Sequence, residues 1–342
     1  MRVFALRKGF SDNGRVTAED LLVARLETAH KEQGLIAKTS AQAGAVTTFE
    51  FDVYEGWQQS FLLMADNHHD SILCNRKLER EHFNEAMERN ALIFVFGDFF
   101  DAMEGKFDKR MNYDELRPEY KRTAYYSAVV KDCATWLIPH VKNLALMADG
   151  NHELSVINNG TDILGDMLRE LNHYAPAPIK RGGYGGWIRL VFNHADGTHE
   201  QVKLKYFHGS GGEAPVTRGA IQTNRQAVYL PDADIVVNGH SHNSYYIPIA
   251  RERMGEDGRM HFDLQHHIRV PGYKQSYGDG SAGWDVTRGG VPKPIGAAWL
   301  NFKLRDGKAV FSVEADIRGA DPVSLAPGIY GGKEYSQDTE YP

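Results

Sequence analysis

Five short stretches of the chain carry side chains that can bind a metal ion, and four of them follow an apolar segment. They are Asp66-Asn67-His68, Gly97-Asp98-Phe99-Phe100-Asp101, Gly150-Asn151-His152-Glu153, Tyr206-Phe207-His208-Gly209 and Gly239-His240-Ser241-His242. Side chains at the carboxyl ends of neighbouring buried strands point into one crevice, so we expect these to converge. Carboxylate, imidazole and amide oxygen suit borderline divalent ions such as Mn, Fe or Zn. The absence of thiolates from the set argues against a purely structural zinc site.

Alternating strands and helices position these stretches. Strands are predicted at residues 46–54, 60–65, 91–96 and 144–147, with a surface helix at 72–90 and a long helix at 114–138 whose first turn must hold Pro118. In the second half of the sequence, paired strands are predicted at 186–192 and 202–207, followed by a buried strand at 235–237 and an alternating strand at 260–268. A final hairpin is predicted at 296–304 and 309–317, with its turn at Asp306-Gly307. This order indicates an α/β chain.

The series D-x-H, GDxxD, GNHE, H and GHxH, in this order over roughly residues 60–245, resembles the calcineurin-like metallophosphoesterase family. The resemblance implies a four-layer α/β sandwich of two mixed β-sheets flanked by helices. It also implies a role for each matched residue. One ion would be bound by Asp66, His68 and His242, a second ion by Asn151, His208 and His240, and Asp98 would bind both ions. His152 would be the general acid or would stabilise the transition state. Asp101 and Glu153 would support the ligands without binding an ion.

The chemistry implied by the resemblance is hydrolysis of phosphate esters by a metal-bridging hydroxide. Two ions about 3.5–4 Å apart lower the pKa of a shared water from 15.7 towards about 7. Mn²⁺ is the favoured ion, with Fe, Zn or Ni as alternatives. His152 would give a proton to the leaving alkoxide, and such general acid catalysis contributes roughly 10²–10⁴-fold.

Two positions bear on the kind of phosphoester. Ser/Thr protein phosphatases of this superfamily carry an arginine after the second motif and another before GNHE, where this chain has Ala102 and Asp149. Those arginines grip a dianionic monoester, so their absence favours a phosphodiesterase, with a DNA nuclease included. The alternatives are a small-nucleotide or phosphomonoester phosphatase and, further away, a non-catalytic scaffold of the same fold.

The amino-acid composition of the chain limits the classes of molecule that it is expected to bind. The chain has 342 residues, a formal net charge of −6 and a pI near 6.2, which does not suggest a long basic surface for nucleic acid. A local groove remains open, with Lys106, Lys109, Arg110, Lys121 and Arg122 as candidates. The expected partner is a phosphate-ester substrate, DNA or a nucleotide among them. No membrane partner is expected, because no signal peptide or apolar span is found; the chain is interpreted as soluble and cytoplasmic, with its oligomeric state open.

Three regions are predicted. Residues 1–45 form an N-terminal helical extension, for which a small DNA-binding element is an alternative. Residues 46–320 form the metallophosphoesterase catalytic domain, and residues 321–342 form an irregular tail. Cys74 and Cys133 fit no metal-ligand spacing and are interpreted as free buried thiols.

Two further stretches have competing interpretations. Residues 208–212 precede Pro215, so a helix starting there could offer backbone N–H groups and Arg218 to a substrate phosphate. The alternative is a tight turn beside the metal site. His266 and His267 lie within an alternating strand, and a structural role with one ring inward and one outward is favoured over metal binding.

Overall fold

The computed structural model describes residues 36–102, 116–211, 216–277 and 284–319, which build two mixed β-sheets with helices outside them. The strands are β1 Thr39–Ala43, β2 Val46–Asp52, β3 Gln58–Met64, β4 Leu92–Val95, β5 Leu144–Ala148, β6 Lys180–Gly182, β7 Gly185–Asn193, β8 His199–Phe207, β9 Ile235–Asn238, β10 Tyr245–Met254, β11 Met260–Arg269, β12 Ile295–Arg305 and β13 Lys308–Arg318. One sheet has the order β1-β2-β7-β8-β9-β11-β10 and the other β13-β12-β3-β4-β5-β6. The predicted two-sheet α/β architecture is confirmed.

The strands that carry ligand stretches are parallel to a neighbour. β3, β4, β5 and β6 pair in parallel, and β9 pairs in parallel with both β8 and β11. Their carboxyl ends therefore lie at one edge of each sheet. β4, β5 and β9 are buried along their whole length, which explains why they are short apolar runs without alternation.

The helices cover the outer faces of the two sheets. They are α1 Arg76–Glu88, α2 Tyr125–Leu137, α3 Asn151–Asn158, α4 Ile163–Leu171, α5 Ala220–Tyr229 and α6 Trp284–Thr287, with 3₁₀ turns at Pro118–Tyr120 and Ile138–His140. Asn75 caps α1 by accepting a hydrogen bond from the Leu78 N–H, and Asp162 caps α4 through the Gly165 N–H. The layers thus run helices α1–α4, six-stranded sheet, seven-stranded sheet and α5.

Aromatic rings fill the space between the sheets. Phe94 of β4 is fully buried and packs against Phe61 at 5.7 Å and against Phe49 of the facing sheet at 5.4 Å between ring centroids. Phe192 and Phe302 continue the layer with centroids 5.2 Å apart. A second apolar cluster lies between the six-stranded sheet and its helices. These two cores hold the sheet edge from which the ligand stretches leave.

Several predicted elements differ from the structure. The long helix predicted at 114–138 is wrong: in its described part a 3₁₀ turn begins at Pro118, and α2 starts only at Tyr125. Arg117 before the proline is extended, with ψ 145°, as steric contact with a following proline requires. Strand β10 was not predicted.

The N-terminal prediction also differs in part. Thr39–Ala43, inside the predicted helical extension, is a strand that pairs antiparallel with β2. Residues 1–35 of that extension and the predicted tail at 321–342 lie outside the described residues, as do Lys106, Lys109 and Arg110. Within the described ranges, no helix is long and apolar enough to cross a membrane.

Replacing Phe94 with alanine should lower the free energy of unfolding by about 3–5 kcal/mol, because the cavity cannot collapse between two sheets. Phe262→Ala is the control. That ring is 75% exposed, so its loss should change stability by no more than about 0.5 kcal/mol. Urea denaturation followed by circular dichroism measures both, and equal losses would contradict the assigned core.

Candidate metal centre

The ligand stretches follow β3, β4, β5, β8 and β9 and meet at one edge of the sandwich. Backbone hydrogen bonds join neighbouring loops, because the Asp66 N–H donates to Gly97 O at 3.0 Å and the Gly239 N–H donates to His208 O at 2.8 Å. The two sheets are joined as well, since the His240 N–H donates to Asp66 Oδ2 at 2.7 Å. The structure thereby brings the seven predicted ligands into one crevice.

Asp66, His68 and His242 form the first group of ligand atoms. His68 Nε2 lies 3.3 Å from His242 Nε2, which lies 3.5 Å from Asp66 Oδ1. All three atoms are within 4.8 Å of one another. His68 Nδ1 lies 2.8 Å from Asp101 Oδ1, an ion-pair contact that lacks hydrogen-bond geometry, and its Nε2 faces the group.

The second group consists of Asp98, Asn151, His208 and His240. His208 Nε2 lies 3.1 Å from Asp98 Oδ2 and 3.1 Å from Asn151 Oδ1, and Asn151 Oδ1 lies 2.7 Å from His240 Nδ1. His208 Nδ1 donates to the carbonyl of Phe96 at 2.9 Å. Asp66 Oδ1 lies 4.0 Å from His208 Nε2, so this carboxylate reaches from the first group towards the second.

These nitrogen and oxygen atoms fit divalent cations. Several of their lone pairs point at one another, and there are too few N–H or O–H protons to form a hydrogen bond between each pair. When its Nδ1 donates to a carbonyl, neutral His208 turns a lone pair towards two oxygens. Asp66 Oδ1 is buried without a hydrogen-bond donor. A buried carboxylate left in this way is costly unless a cation or a proton satisfies it. A metal ion at each group would do so.

The electrostatics of the crevice agree with this fit. Burial alone would lower the pKa of His208, but Asp98 and Asp66 outweigh it and raise the pKa to about 10. Burial likewise opposes ionisation of Asp98, yet His208 and His152 lower its pKa well below the usual value. Burial raises the pKa of Asp66 to about 6. A proton on His208 thus occupies the place where a metal ion would supply positive charge.

Five predicted ligands have left-handed backbone conformations, which residues other than glycine rarely adopt. The φ angles are 52° at Asp66, 48° at His68, 53° at Asp98, 72° at His240 and 54° at His242. Each such residue costs of order 1–3 kcal/mol and persists only where its surroundings enforce it. At D-x-H and H-x-H the left-handed residues turn the chain sharply, so side chains two positions apart can serve one crevice.

Glu153 is a brace for the second and third stretches. Its carboxylate is fully buried and accepts hydrogen bonds from the N–H groups of Asp98 at 3.0 Å, Phe100 at 3.0 Å and Gly150 at 2.8 Å. Burial, followed by the nearby charge of Asp98, raises the pKa of Glu153 to about 8. Within the described contacts it supports the ligand loops through their backbone, which matches the supporting role implied by the resemblance.

Two more buried carboxylates brace the first stretch. Glu79 of α1 accepts from Asn67 Nδ2 at 2.9 Å with one oxygen and lies 2.7 Å from His69 Nδ1 with the other, so it grips the residues on both sides of His68. Asp70 accepts from the backbone N–H of Asp101 at 2.5 Å and of Ala102 at 2.9 Å.

His152 lies at the rim of the centre. Its backbone N–H donates to Asp98 Oδ1 at 2.8 Å, its Nδ1 donates to the carbonyl of Asp101, and its Nε2 is 3.8 Å from Asp98 Oδ2. Its side chain is 12% exposed. The ring can therefore contact both the buried carboxylate and a molecule that enters from solvent.

Arg218 is not placed at the centre by any contact of the described residues. It is exposed and has a left-handed φ of 42°, and it precedes Gly219, the N-cap of α5. The helix begins at Ala220, further along the chain than the start expected near Pro215, which lies outside the described residues. A role for Arg218 in substrate binding stays a prediction.

The interpretations of the other histidines and of the cysteines are confirmed. His267 is buried and lies 2.9 Å from Gln265 Oε1, while His266 contacts the Tyr246 hydroxyl at 2.7 Å on the opposite face of β11. Cys74 and Cys133 are free and buried.

Sequence reasoning missed two residues of the centre. Lys274 donates to both carboxylate oxygens of Asp101, at 3.1 and 3.2 Å. Gly272 lies against the first group, where a Cβ would come within 2.6 Å of Asp66 O and 3.1 Å of His242 Nδ1. Both follow β11, beyond the last metal-binding stretch, and neither is part of a ligand motif. A glycine and a lysine flanking Tyr273 after β11 were the only local signal.

The stretches D-x-H, GDxxD, GNHE, H and GHxH thus meet, in the order of the family pattern, at one edge of a two-sheet sandwich. This arrangement of sheets and stretches resembles the calcineurin-like metallophosphoesterase fold. No protein-family model matches the sequence, and no curated protein matches it.

Solved structures similar to the chain include metallophosphoesterases. The calcineurin-like phosphoesterase YfkN from Bacillus subtilis is 12% identical with a TM-score of 0.34, covering 77% of this chain and 90% of its own. A metallophosphoesterase from Sphaerobacter thermophilus is 14% identical with a TM-score of 0.30, covering 75% and 88%. GAP50, described as the anchor in the inner membrane complex of Plasmodium, is 12% identical with a TM-score of 0.34, covering 80% and 96%. With TM-scores this low, the resemblance rests on the motifs and their geometry and not on these neighbours.

Gly150→Ala should remove metal binding at the second group. A Cβ at Gly150 would collide with Asp98 Oδ1 and the Asp98 backbone N and would lie 2.8 Å from its Cγ, so Asp98 must move. Gly183→Ala is the matched control, because its Cβ would meet no atom closer than 3.9 Å. Metal content after dialysis against Mn²⁺, and the rise in Tm on adding Mn²⁺, measure the effect. A normal Mn²⁺ content in folded Gly150→Ala would contradict the assigned position of Asp98.

Proposed function

We propose that this chain is a metal-dependent phosphodiesterase that binds two divalent ions, with Mn²⁺ as the favoured pair. The observation that carries the proposal is the pair of adjacent ligand groups, Asp66–His68–His242 and Asp98–Asn151–His208–His240, with His152 beside them. Borderline divalent ions suit such mixed carboxylate, amide and imidazole donors. When bound, the ions would supply Lewis acidity and lower the pKa of water.

The protein's own residues orient the ligands and move the proton. Glu153 fixes the backbone of Asp98 through a hydrogen bond, and the Asp101 carboxylate lies against His68 Nδ1, so both ligands are held before an ion binds. Ligands held in this way need little reorganisation when a substrate binds. If bound ions supplied the nucleophile, the centre would suit in-line displacement at phosphorus.

His152 is suited to protonate the leaving group. Because its Nδ1 donates to the Asp101 carbonyl, its Nε2 is the nitrogen that faces the centre and carries the second proton in the imidazolium form. One water adds HO to phosphorus, the bond from phosphorus to the leaving oxygen breaks, and that oxygen keeps the electron pair and takes the Nε2 proton. The water's remaining proton restores His152, so the net reaction consumes one water.

The charge around the entrance supports a diester substrate. Ala102 is buried and offers no cation, and Asp149 pairs with Arg181 at 2.9 Å. Arg181 also pairs with Asp162. The two positions that would hold arginines for a dianionic monoester thus hold a methyl group and a neutralised carboxylate. A monoanionic diester needs less positive charge and is the better match.

Substrate preference tests this directly. With Mn²⁺, kcat/KM for bis-p-nitrophenyl phosphate should exceed that for p-nitrophenyl phosphate, because the second negative charge of the monoester finds no partner. Release of p-nitrophenolate measures both rates. Preference for the monoester would favour the phosphatase alternative. Linear and circular DNA in the same assay test for nuclease activity, and bound Mn²⁺ without turnover of any substrate would favour a scaffold.

His152→Asn should lower kcat for a diester with an alkoxide leaving group by roughly 10²–10⁴-fold, the usual contribution of a general acid. Metal content should remain, because the Asn151 and Asp98 ligands are untouched. His266→Asn is the control, since that ring lies on β11 and contacts Tyr246 and Phe311. Full activity of folded His152→Asn on the alkoxide substrate would refute the proton-donor role.

A further inference from the structure

Lys274 is a buried cation at the back of the centre. Its ammonium group donates to both carboxylate oxygens of Asp101, at 3.1 and 3.2 Å, and its side chain is only 12% exposed. The backbone around it is fixed on both sides. Residue 274 forms an isolated bridge with Cys74, and the Tyr273 N–H donates to Asp66 O at 3.0 Å. The ammonium group is therefore held in place by the same segment that packs against the first ligand group.

Asp101 connects Lys274 to two functional side chains. Its Oδ1 lies 2.8 Å from His68 Nδ1, and its backbone carbonyl accepts from His152 Nδ1. Its ligand-capable oxygen lies within 4.8 Å of the ring nitrogens that His68 and His152 offer. One residue thus sets the orientation of a predicted ligand and of the proposed general acid.

A buried carboxylate between two imidazoles can take more than one orientation. Without a dedicated cation, the Asp101 carboxylate would lower its energy by turning towards the nearest positive charge, since an unpaired buried charge is costly. Turning would move Oδ1 away from His68 Nδ1, at 2.8 Å, and from His152 Nδ1, at 3.8 Å. A lysine that contacts both oxygens removes that freedom.

We propose that Lys274 is a positioning residue that acts through Asp101 to hold His68 and His152 in their working orientations. The proposal rests on the phosphodiesterase function proposed above. Lys274 contacts Asp101 directly, whereas its charge acts on His68 and His242 without a described hydrogen bond, and we assign its positioning effect to the contact with Asp101. Loss of such supporting partners in metal enzymes costs about 10–100-fold in affinity or activity.

The test compares Lys274→Met with Lys274→Arg and Lys293→Met. Methionine keeps most of the length of the lysine side chain but removes its positive charge, whereas arginine keeps the charge. Lys293 lines the same cavity of about 340 Å³ as Lys274 but has no described contact with Asp101, which makes Lys293→Met the matched control. Circular dichroism and Tm establish that each variant folds. If Lys274→Met does not fold, Lys274→Gln replaces it.

The first readout needs no metal and no substrate. Long-range ¹H–¹⁵N spectra of the metal-free protein report the tautomer and environment of each imidazole. Lys274→Met should shift the His68 and His152 ring resonances, Lys274→Arg should restore them in part, and Lys293→Met should leave them unchanged. Unchanged His68 and His152 signals in Lys274→Met would overturn the proposal.

The second readout separates positioning from general damage. With saturating Mn²⁺, which offsets any weaker metal binding through His68, Lys274→Met should lose about 10–100-fold in kcat on a diester with an alkoxide leaving group. It should lose much less on bis-p-nitrophenyl phosphate, whose leaving group needs little protonation. An equal loss on both substrates, or no loss on either, would overturn the proposal. If the wild-type protein hydrolyses neither diester, the phosphodiesterase function fails while the imidazole spectra still test Lys274.

A double-mutant cycle tests the route of the effect. If Lys274 acts through Asp101, then Lys274→Met should cost little further activity or spectral change in an Asp101→Asn background, because the charge that it balances is gone. Independent, additive losses would overturn the route through Asp101.

Discussion

Three buried carboxylates that bind no ion in the family pattern hold the centre together. Glu153, Glu79 and Asp70 each contact two or more polar groups on the ligand stretches or on the residue directly after them. Ligands with left-handed φ angles would relax to ordinary conformations if nothing opposed them. The braces oppose this relaxation, because each carboxylate oxygen that loses a donor inside the protein bears the full cost of an unmet buried charge. The strained backbone of the ligand loops therefore depends on the hydrogen bonds that these buried carboxylates accept.

The position of these braces follows from the sheet. Parallel strands β3, β4 and β5 end side by side, so their loops are close enough for Glu153, at the start of α3, to reach the backbone of the neighbouring loop. The fourth and fifth stretches come from the other sheet, and Asp66 links the two sheets through the His240 N–H. Glycine at position 150 is required for the same reason, since a side chain there would occupy the place of the Asp98 carboxylate. Backbone proximity, more than any single ligand, sets the spacing of the two groups.

The sequence predicted the parts of the molecule that depend on local pattern. Buried strands followed by metal-binding residues could be predicted because each apolar run is next to its ligand stretch in the sequence. The turn at Asp306-Gly307 could be predicted because both residue types tolerate a positive φ. It failed where distant contacts decide the outcome. Lys274 meets Asp101 across 173 positions, and no periodicity connects them. The extended backbone of Arg117 ahead of Pro118 overrode a helical pattern, and the strand at 39–43 depends on pairing with β2 rather than on its own small residues.

Under the proposed function, charge balance would set the preference of the centre between ester classes. The carboxylates at the ligand groups are paired with imidazoles, Asp101 is paired with Lys274, and Asp149 is paired with Arg181. Lys274 and Arg181 are thus committed to carboxylates of the protein, whereas Arg269, which is only 3% exposed, donates to Gly239 O and Ser241 Oγ. Under the proposed function, an incoming phosphate would meet positive charge mainly at ions held by the two ligand groups. That supply matches a monoanion more closely than a dianion, because the second charge of a monoester would remain unpaired in a desolvated crevice. Under the proposed function, the same pairing that keeps the ligands in place would therefore also disfavour the more highly charged substrate.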